Sequence, residues 1–166
     1  MKLATLKRMG VMFVVNHVLA GTPYYEQKRK LLNSAGFQLG EGTKVVGPIF
    51  CTGKLTTGKD CWLGRDLKVQ GNGTVTIGNN CDIAPEVTFL TGGHEIGNAS
   101  RRAGIGEIYR IRVEDGCWIG ARSTLGRTIT VGKGSVIAAC ACVMKDVADN
   151  TLAGGVPARC IRKLDD

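Results

Sequence analysis

Few side chains here can exchange a proton near neutral pH, and His94 is the one placed where chemistry is expected. It is one of two histidines in 166 residues. It stands in Thr-Gly-Gly-His-Glu (91–95), where a regular apolar pattern breaks off. An imidazole with an ordinary pKa of about 6.5 suits a general base at working pH. Such a base needs an acceptor on its other nitrogen to fix the tautomer. Glu95, Glu107, Asp82 and a backbone carbonyl are the candidates, and spacing does not choose among them. The plainer alternative is a loop histidine that only bonds backbone groups. His17 lies in an apolar run and reads as a structural or boundary residue.

The seven cysteines do not form a disulfide framework. Cys61, Cys81 and Cys117 share one place in a repeat where other copies carry Thr43, Ser123 or Ser135. They behave as small buried residues. An odd count without a close Cys-x-x-Cys pair favours a reducing compartment over a structural zinc site. Cys140 and Cys142, one residue apart, would share a face of a strand. No metal is expected.

The elements that must position His94 follow a step of six. Leu39, Val45, Cys51, Thr57, Leu63, Val69 and Val75 form one series, and a slip at 70–73 resets it to Ile77, Ile83 and Phe89. Beyond the break come Val113, Ile119, Leu125, Val131, Ile137 and Val143, four periods on and in register. Glycine or alanine often follows the lead residue, as at Gly40, Gly64, Gly120 and Ala138. Helices repeat at 3.6 and plain strands at 2, so neither explains the pattern. Short strands joined by tight turns do, with the lead residue inward and the small residue relieving each corner. Such repeats stack into a parallel β-helix whose ends need caps. Residues 92–112 form a loop excursion between coils, and long excursions from a compact scaffold are commonly functional.

Composition agrees with a turned, repetitive backbone: 24 glycines and only 5% aromatic residues. The net charge of +8 favours an anionic partner. Basic residues do not interleave with aromatics, so nucleic acid is not expected. Residues 1–36 read as a helical segment and 37–166 as the β-helix with a C-terminal cap. Lys2, Lys7 and Arg8 precede an apolar run, Met9 to Ala20, too short to span a bilayer. A helix lying on the domain, a neighbouring subunit or a membrane surface is preferred to a cleaved signal. A second helix, opened by Pro23 and ended by Gly36, would bury Tyr25, Leu31 and Leu32 and keep Glu26, Lys28, Arg29 and Lys30 wet.

Four segments carry a family likeness: I-G-N-N-C-D-I-A-P-E-V-T-F (77–89), G-G-H (92–94), D-G-C-W-I-G-A (115–121) and V-M-K-D-V-A-D-N-T-L-A-G-G-V-P-A-R-C-I-R (143–162). The chain resembles the hexapeptide-repeat acyltransferases, and among them the sugar O-acetyltransferases of maltose, galactoside and capsule or exopolysaccharide type. The resemblance implies an all-β fold, a left-handed parallel β-helix, and a homotrimer with active sites between subunits. It implies acetyl-CoA as acyl donor, with no metal and no acyl-enzyme. His94 matches the catalytic histidine, Trp118 the tryptophan beside the acceptor pocket, and Ala121 the amide facing the thioester. Asp82 and Glu95 are further pocket candidates. Ala139, Lys145, Arg159 and Arg162 match the positions that grip coenzyme A.

Two departures stand out: Gly64 replaces an acceptor-pocket asparagine, and Arg127-Thr128 replaces a common Pro-Gly. The first argues against a simple sugar, leaving Asp66, Asn72 and Asp82 to line an altered pocket. The basic residues Arg101, Arg102, Arg110 and Arg112 suit an anionic, lipid-linked or nucleotide-linked glycan acceptor. The expected location is cytoplasmic, with the basic N-terminus offering a peripheral contact at the inner face of the membrane. The alternatives are acetylation of an antibiotic, amino sugar or serine, and a non-catalytic β-helix module. A β-helical carbonic anhydrase needs three zinc-binding histidines and is set aside.

Overall fold

A computed structural model describes residues 3–165; Lys2, counted above with the basic N-terminus, lies outside them. The chain winds as a parallel β-solenoid with three flat faces. Face A contains Gln38–Leu39, Lys54–Thr57, Thr74–Ile77, Arg110–Val113 and Ile129–Val131. Face B contains Lys44–Val45, Trp62–Leu63, Asp82–Ile83, Trp118–Ile119, Val136–Ile137 and Thr151–Gly155. Face C contains Ile49–Cys51, Leu67–Gln70, Thr88–Leu90, Thr124–Gly126 and Cys142–Val143. Each coil runs A to B to C and hydrogen-bonds to the next in parallel register, as Ile83 does with Leu63 and Ile119.

Every lead residue of the six-step series points inward. Leu63, Val69, Ile83, Phe89, Ile119, Leu125, Val131 and Ile137 are wholly buried. Their stacking removes apolar surface from water along the whole axis, which is the main favourable term in the fold. The small residue beside them is a steric requirement. A Cβ on Gly120 would approach the Ala139 nitrogen and the Ile137 oxygen to 2.6 Å.

The corner between faces A and B holds a buried column of short polar side chains. Thr43 donates to Gly58 O at 3.0 Å, Cys61 to Gly78 O at 3.0 Å and Cys81 to Glu114 O at 3.1 Å. Cys117 continues to Gly132 O at 3.1 Å and Ser135 to Ala148 O at 2.8 Å. Each thiol or hydroxyl thus satisfies a carbonyl of the next coil, which explains why these types interchange. Hydrogen bonding to Cys117 and burial push the Cys81 thiol up to about 11. Cys140 and Cys142 do not share a strand face. Cys140 occupies the left-handed position of a turn (φ 62°) and the strand begins only at Cys142.

Helix α1 (Leu3–Phe13) and a π-helical turn, Val14–Val18, lie on the first coil. Arg8 donates to Cys51 O and Gly53 O, both at 3.0 Å, while Asn16 pairs with both backbone groups of Ile49. Helix α2 (Tyr25–Ser34) caps the same end. One expectation fails here: Lys28 is not wet but fully buried. Its Nζ donates to Gly21 O and, at 3.0 Å, to Val46 O. A lysine is tolerated at this depth because its ammonium is hydrogen-bonded to two backbone carbonyls rather than left unpaired. Burial holds its pKa below the usual lysine value. At the far end, Ala158–Lys163 folds back antiparallel on Thr151–Gly155.

Candidate active site

The excursion is an antiparallel hairpin, Gly92–Ile96 with Ala103–Ile108, leaving the solenoid at the corner between faces C and A. It ends earlier than expected. Arg110–Val113 is back in face A, with Ile111 and Val113 buried and Arg110 and Arg112 exposed on the outer surface. At its root, a Cβ on Gly93 would meet the Tyr109 hydroxyl at 2.3 Å, so a larger residue here would displace that ring. Tyr109 Oη donates to Glu107 Oε2 at 2.8 Å, and the neighbouring carboxylate raises the phenol pKa.

His94 is exposed on the first hairpin strand, opposite Gly106. Its Nδ1 lies 3.0 Å from Gly104 O. A carbonyl only accepts, so Nδ1 carries the hydrogen and Nε2 presents a lone pair. Of the four orienting candidates, the backbone carbonyl is the one in place. Glu95 falls where the hairpin register shifts, between His94 and Ile96, and makes no hydrogen bond to the imidazole. Asp82 is on face B. A carbonyl acceptor leaves no mark in sequence, so Gly104 could not have been found there.

Three contiguous hollows run from the hairpin toward the tail. The first, about 590 Å³, is lined by His94, Asn72, Leu90 and Glu107. The second, about 500 Å³, shares Glu107 and adds Tyr109, Arg127 and Lys145. The third, about 470 Å³, shares Lys145 and adds Arg159, Cys160 and Lys163. His94, Lys145 and Arg159 are therefore gathered along one edge. Arg162 is exposed outside that groove. Asp66 is engaged by Arg65 at 3.2 Å and lines none of these hollows.

The remaining candidates lie elsewhere. Trp118 and Asp82 project from face B, around a hollow of about 460 Å³ that also contains Trp62. Ala121 and Ala139 occupy the corner between faces B and C. There Gly120–Ser123 makes a turn with Ser123 N donating to Gly120 O at 3.3 Å and Arg122 at φ 60°. This is the type II pattern, whose second residue aims its N–H outward. Neither the Ala121 nor the Ala139 N–H has an acceptor among the described residues. Within one chain, His94 and these two amides stand at opposite edges of face C. Trp62 is the functional candidate that the sequence reading missed. Its signal was present, since Cys-Trp-Leu-Gly (61–64) repeats as Cys-Trp-Ile-Gly (117–120).

Comparison with known proteins places this geometry. The chain is 30% identical over 163 residues to the galactoside O-acetyltransferase of Escherichia coli, covering 97% of this chain and 79% of that one. The crystal structure of a Vibrio cholerae hexapeptide-repeat acetyltransferase complexed with acetyl-coenzyme A superposes with a TM-score of 0.85. That match has 26% identity and spans 98% of this chain and 88% of the other. The chain belongs to the hexapeptide-repeat acetyltransferases. A putative colanic acid biosynthesis acetyltransferase of Escherichia coli is 28% identical over 141 residues, 84% of this hexapeptide-repeat acetyltransferase and 76% of the relative. No protein-family model matches the chain. Among the described residues, no group of three or more His, Cys, Asp or Glu could hold a metal ion. No described helix is long and apolar enough to cross a membrane.

Proposed function

We propose that this acetyltransferase moves the acetyl group of acetyl-CoA to a hydroxyl of a sugar or polysaccharide precursor, with His94 as general base. The carrying observation is the Gly104 carbonyl on Nδ1, which fixes the tautomer and leaves Nε2 free to receive a proton. Acetyl-CoA supplies an acyl carbon already activated as a thioester. Nε2 takes the proton as the acceptor oxygen bonds to that carbon. The unpartnered Ala121 N–H suits the negative charge that develops on the carbonyl oxygen. The imidazolium then returns its proton to the departing sulfur as the C–S bond breaks. No cysteine is needed for transfer. Lys145 and Arg159, on the groove that starts at His94, fit a phosphate-bearing donor. Arg162 extends the basic tail.

The separation of His94 from Ala121, Ala139 and Trp118 supports a site completed between copies in a homotrimer. The hairpin offers apolar surface for such a contact: Ile96, Ile105 and Ile108 are all exposed. A polysaccharide precursor is favoured by the colanic acid relative and by the net charge of +8, which suits an anionic or lipid-linked acceptor. The exposed Leu3, Leu6, Met9 and Phe13 beside Lys7 suit a peripheral membrane contact. Seven free thiols fit a cytoplasmic location.

The test is thiol release from acetyl-CoA over a panel of glycans, with His94→Ala beside the parent. The variant is expected to lose roughly 10²–10⁴-fold in turnover. Unchanged turnover in a folded variant removes His94 from the mechanism.

A further inference from the structure

Helix α1 is apolar on two opposite sides, and the fold uses only one of them. At about 100° per residue, Arg8, Val11 and Met12 share the side turned to the first coil. There Val11 and Met12 pack on the core, and Arg8 donates to Cys51 O and Gly53 O. Leu3, Leu6, Met9 and Phe13 fall on the opposite side, and each is more than half exposed. A helix that is apolar all round belongs in an interior, so the outward stripe calls for a cover. Lys7 flanks that stripe with no hydrogen bond or ion pair among the described residues. Residues 3–25 contain no Asp or Glu.

Charge and position decide what the cover is. A second copy docked stripe to stripe would bring Lys7 against Lys7, with no carboxylate from this segment between them. An anionic lipid surface offers the opposite charge and takes the stripe into its acyl boundary. Arg8 and Asn16 bond Cys51 O, Gly53 O and Ile49, backbone groups on the edge of the first coil that has no preceding coil. The helix therefore closes that end of the stack and turns its stripe away from it. In the ring of copies inferred above, side-by-side solenoids would set three such stripes on one plane, where their affinities combine. His94 follows Thr88–Leu90, two coil steps above Ile49–Cys51. At about 4.8 Å per step, plus about 10 Å for the helix, the imidazole stands roughly 20 Å from such a surface. A few sugar units on a lipid diphosphate reach that height.

We propose that α1 is an interfacial helix that seats the solenoid end-on on an anionic phospholipid bilayer, with Leu3, Leu6, Met9 and Phe13 below the headgroups and Lys7 among the phosphates. This rests on the membrane contact read above, names its lipid, and presents the His94 groove to lipid-linked acceptors.

Vesicle binding reports on the helix without any turnover. The full-length protein is sedimented with phosphatidylcholine vesicles, alone and with about 30% phosphatidylglycerol. Binding to the mixed vesicles is expected to be at least roughly tenfold tighter and to weaken as salt is raised. Leu6→Glu/Phe13→Glu should lose at least roughly tenfold in vesicle affinity. Its thermal midpoint and its acetyl transfer to a soluble glycan should stay those of the parent. Lys7→Glu alone should narrow the difference between the two lipids. No binding, equal binding to both vesicles, or undiminished binding of the double variant overturns the proposal. So does a parent assembly that halves in mass in the double variant, which would make the stripe a contact between copies. Vesicle binding with no transfer to any glycan sustains the anchor and removes the transferase reading. Transfer without vesicle binding removes the anchor and leaves that reading standing.

Discussion

If the catalytic histidine and the oxyanion amide come from different copies, two inactive variants should rescue one another. Ala121→Pro is the second partner, because proline deletes the amide N–H without disturbing the corner. The fold already contains the control. Asp82 pairs with Trp118 and Ile83 with Ile119, which puts Pro85 at the corner position of Ala121 one coil earlier. Proline is also favoured at the second position of such a turn. Losing one oxyanion donor should cost roughly 10²–10³ in kcat. A His94→Ala copy still offers an intact Ala121, and an Ala121→Pro copy an intact His94. In a mixed trimer, whichever variant is in excess, about one boundary in three joins the two intact halves. Co-expressed variants carrying different tags, purified for mixed assemblies, should therefore recover about a third of parental thiol release. Activity no higher than the mean of the separate variants refutes the shared site. Full activity in Ala121→Pro refutes the role of that amide.

Two other outcomes bear on the scaffold. Gly120→Ala forces a Cβ into the next coil's backbone at 2.6 Å and should destabilise by about 1–3 kcal/mol in urea unfolding. Burial lowers the Lys28 pKa from the ordinary 10.5. Between those values the unfolded chain holds more protons than the folded one, so this residue's contribution to stability rises with pH. Urea midpoints of the parent minus those of Lys28→Met should increase as pH climbs toward the ordinary lysine value. A flat difference would show that Lys28 stays charged in the core.

The wall of the solenoid was legible because its constraint falls on side-chain size and polarity at a fixed step. Leu63, Ile83 and Ile119 must fill the interior, and Gly120 must leave room for the next backbone. Cys61, Cys81 and Cys117 were readable as small buried groups for the same reason. What escaped depends on groups that side-chain type does not encode. The partner of His94 is a carbonyl, and any residue at 104 supplies one. Lys28 reads as a solvated charge until two backbone carbonyls, Gly21 O and Val46 O, are found at its tip. The alternation applied to Cys140 and Cys142 holds only inside a strand, and the first of them lies in a turn. The hairpin, with glycines at 92, 93, 97, 104 and 106, lacks both the inward series and a second-order alternation. It therefore read only as a loop excursion.

The reversal at the C-terminal end has a consequence for growth of the stack. A parallel coil presents its last rung as a template on which any similar chain could propagate. Here Ala158–Lys163 lies antiparallel across that rung on face B, in the wrong direction to seed another turn. Basic side chains at Arg159, Arg162 and Lys163 make the outermost edge repel its own kind. A chain cut before residue 156 would expose the bare rung, and fibrous association would be the expected fate of such a fragment.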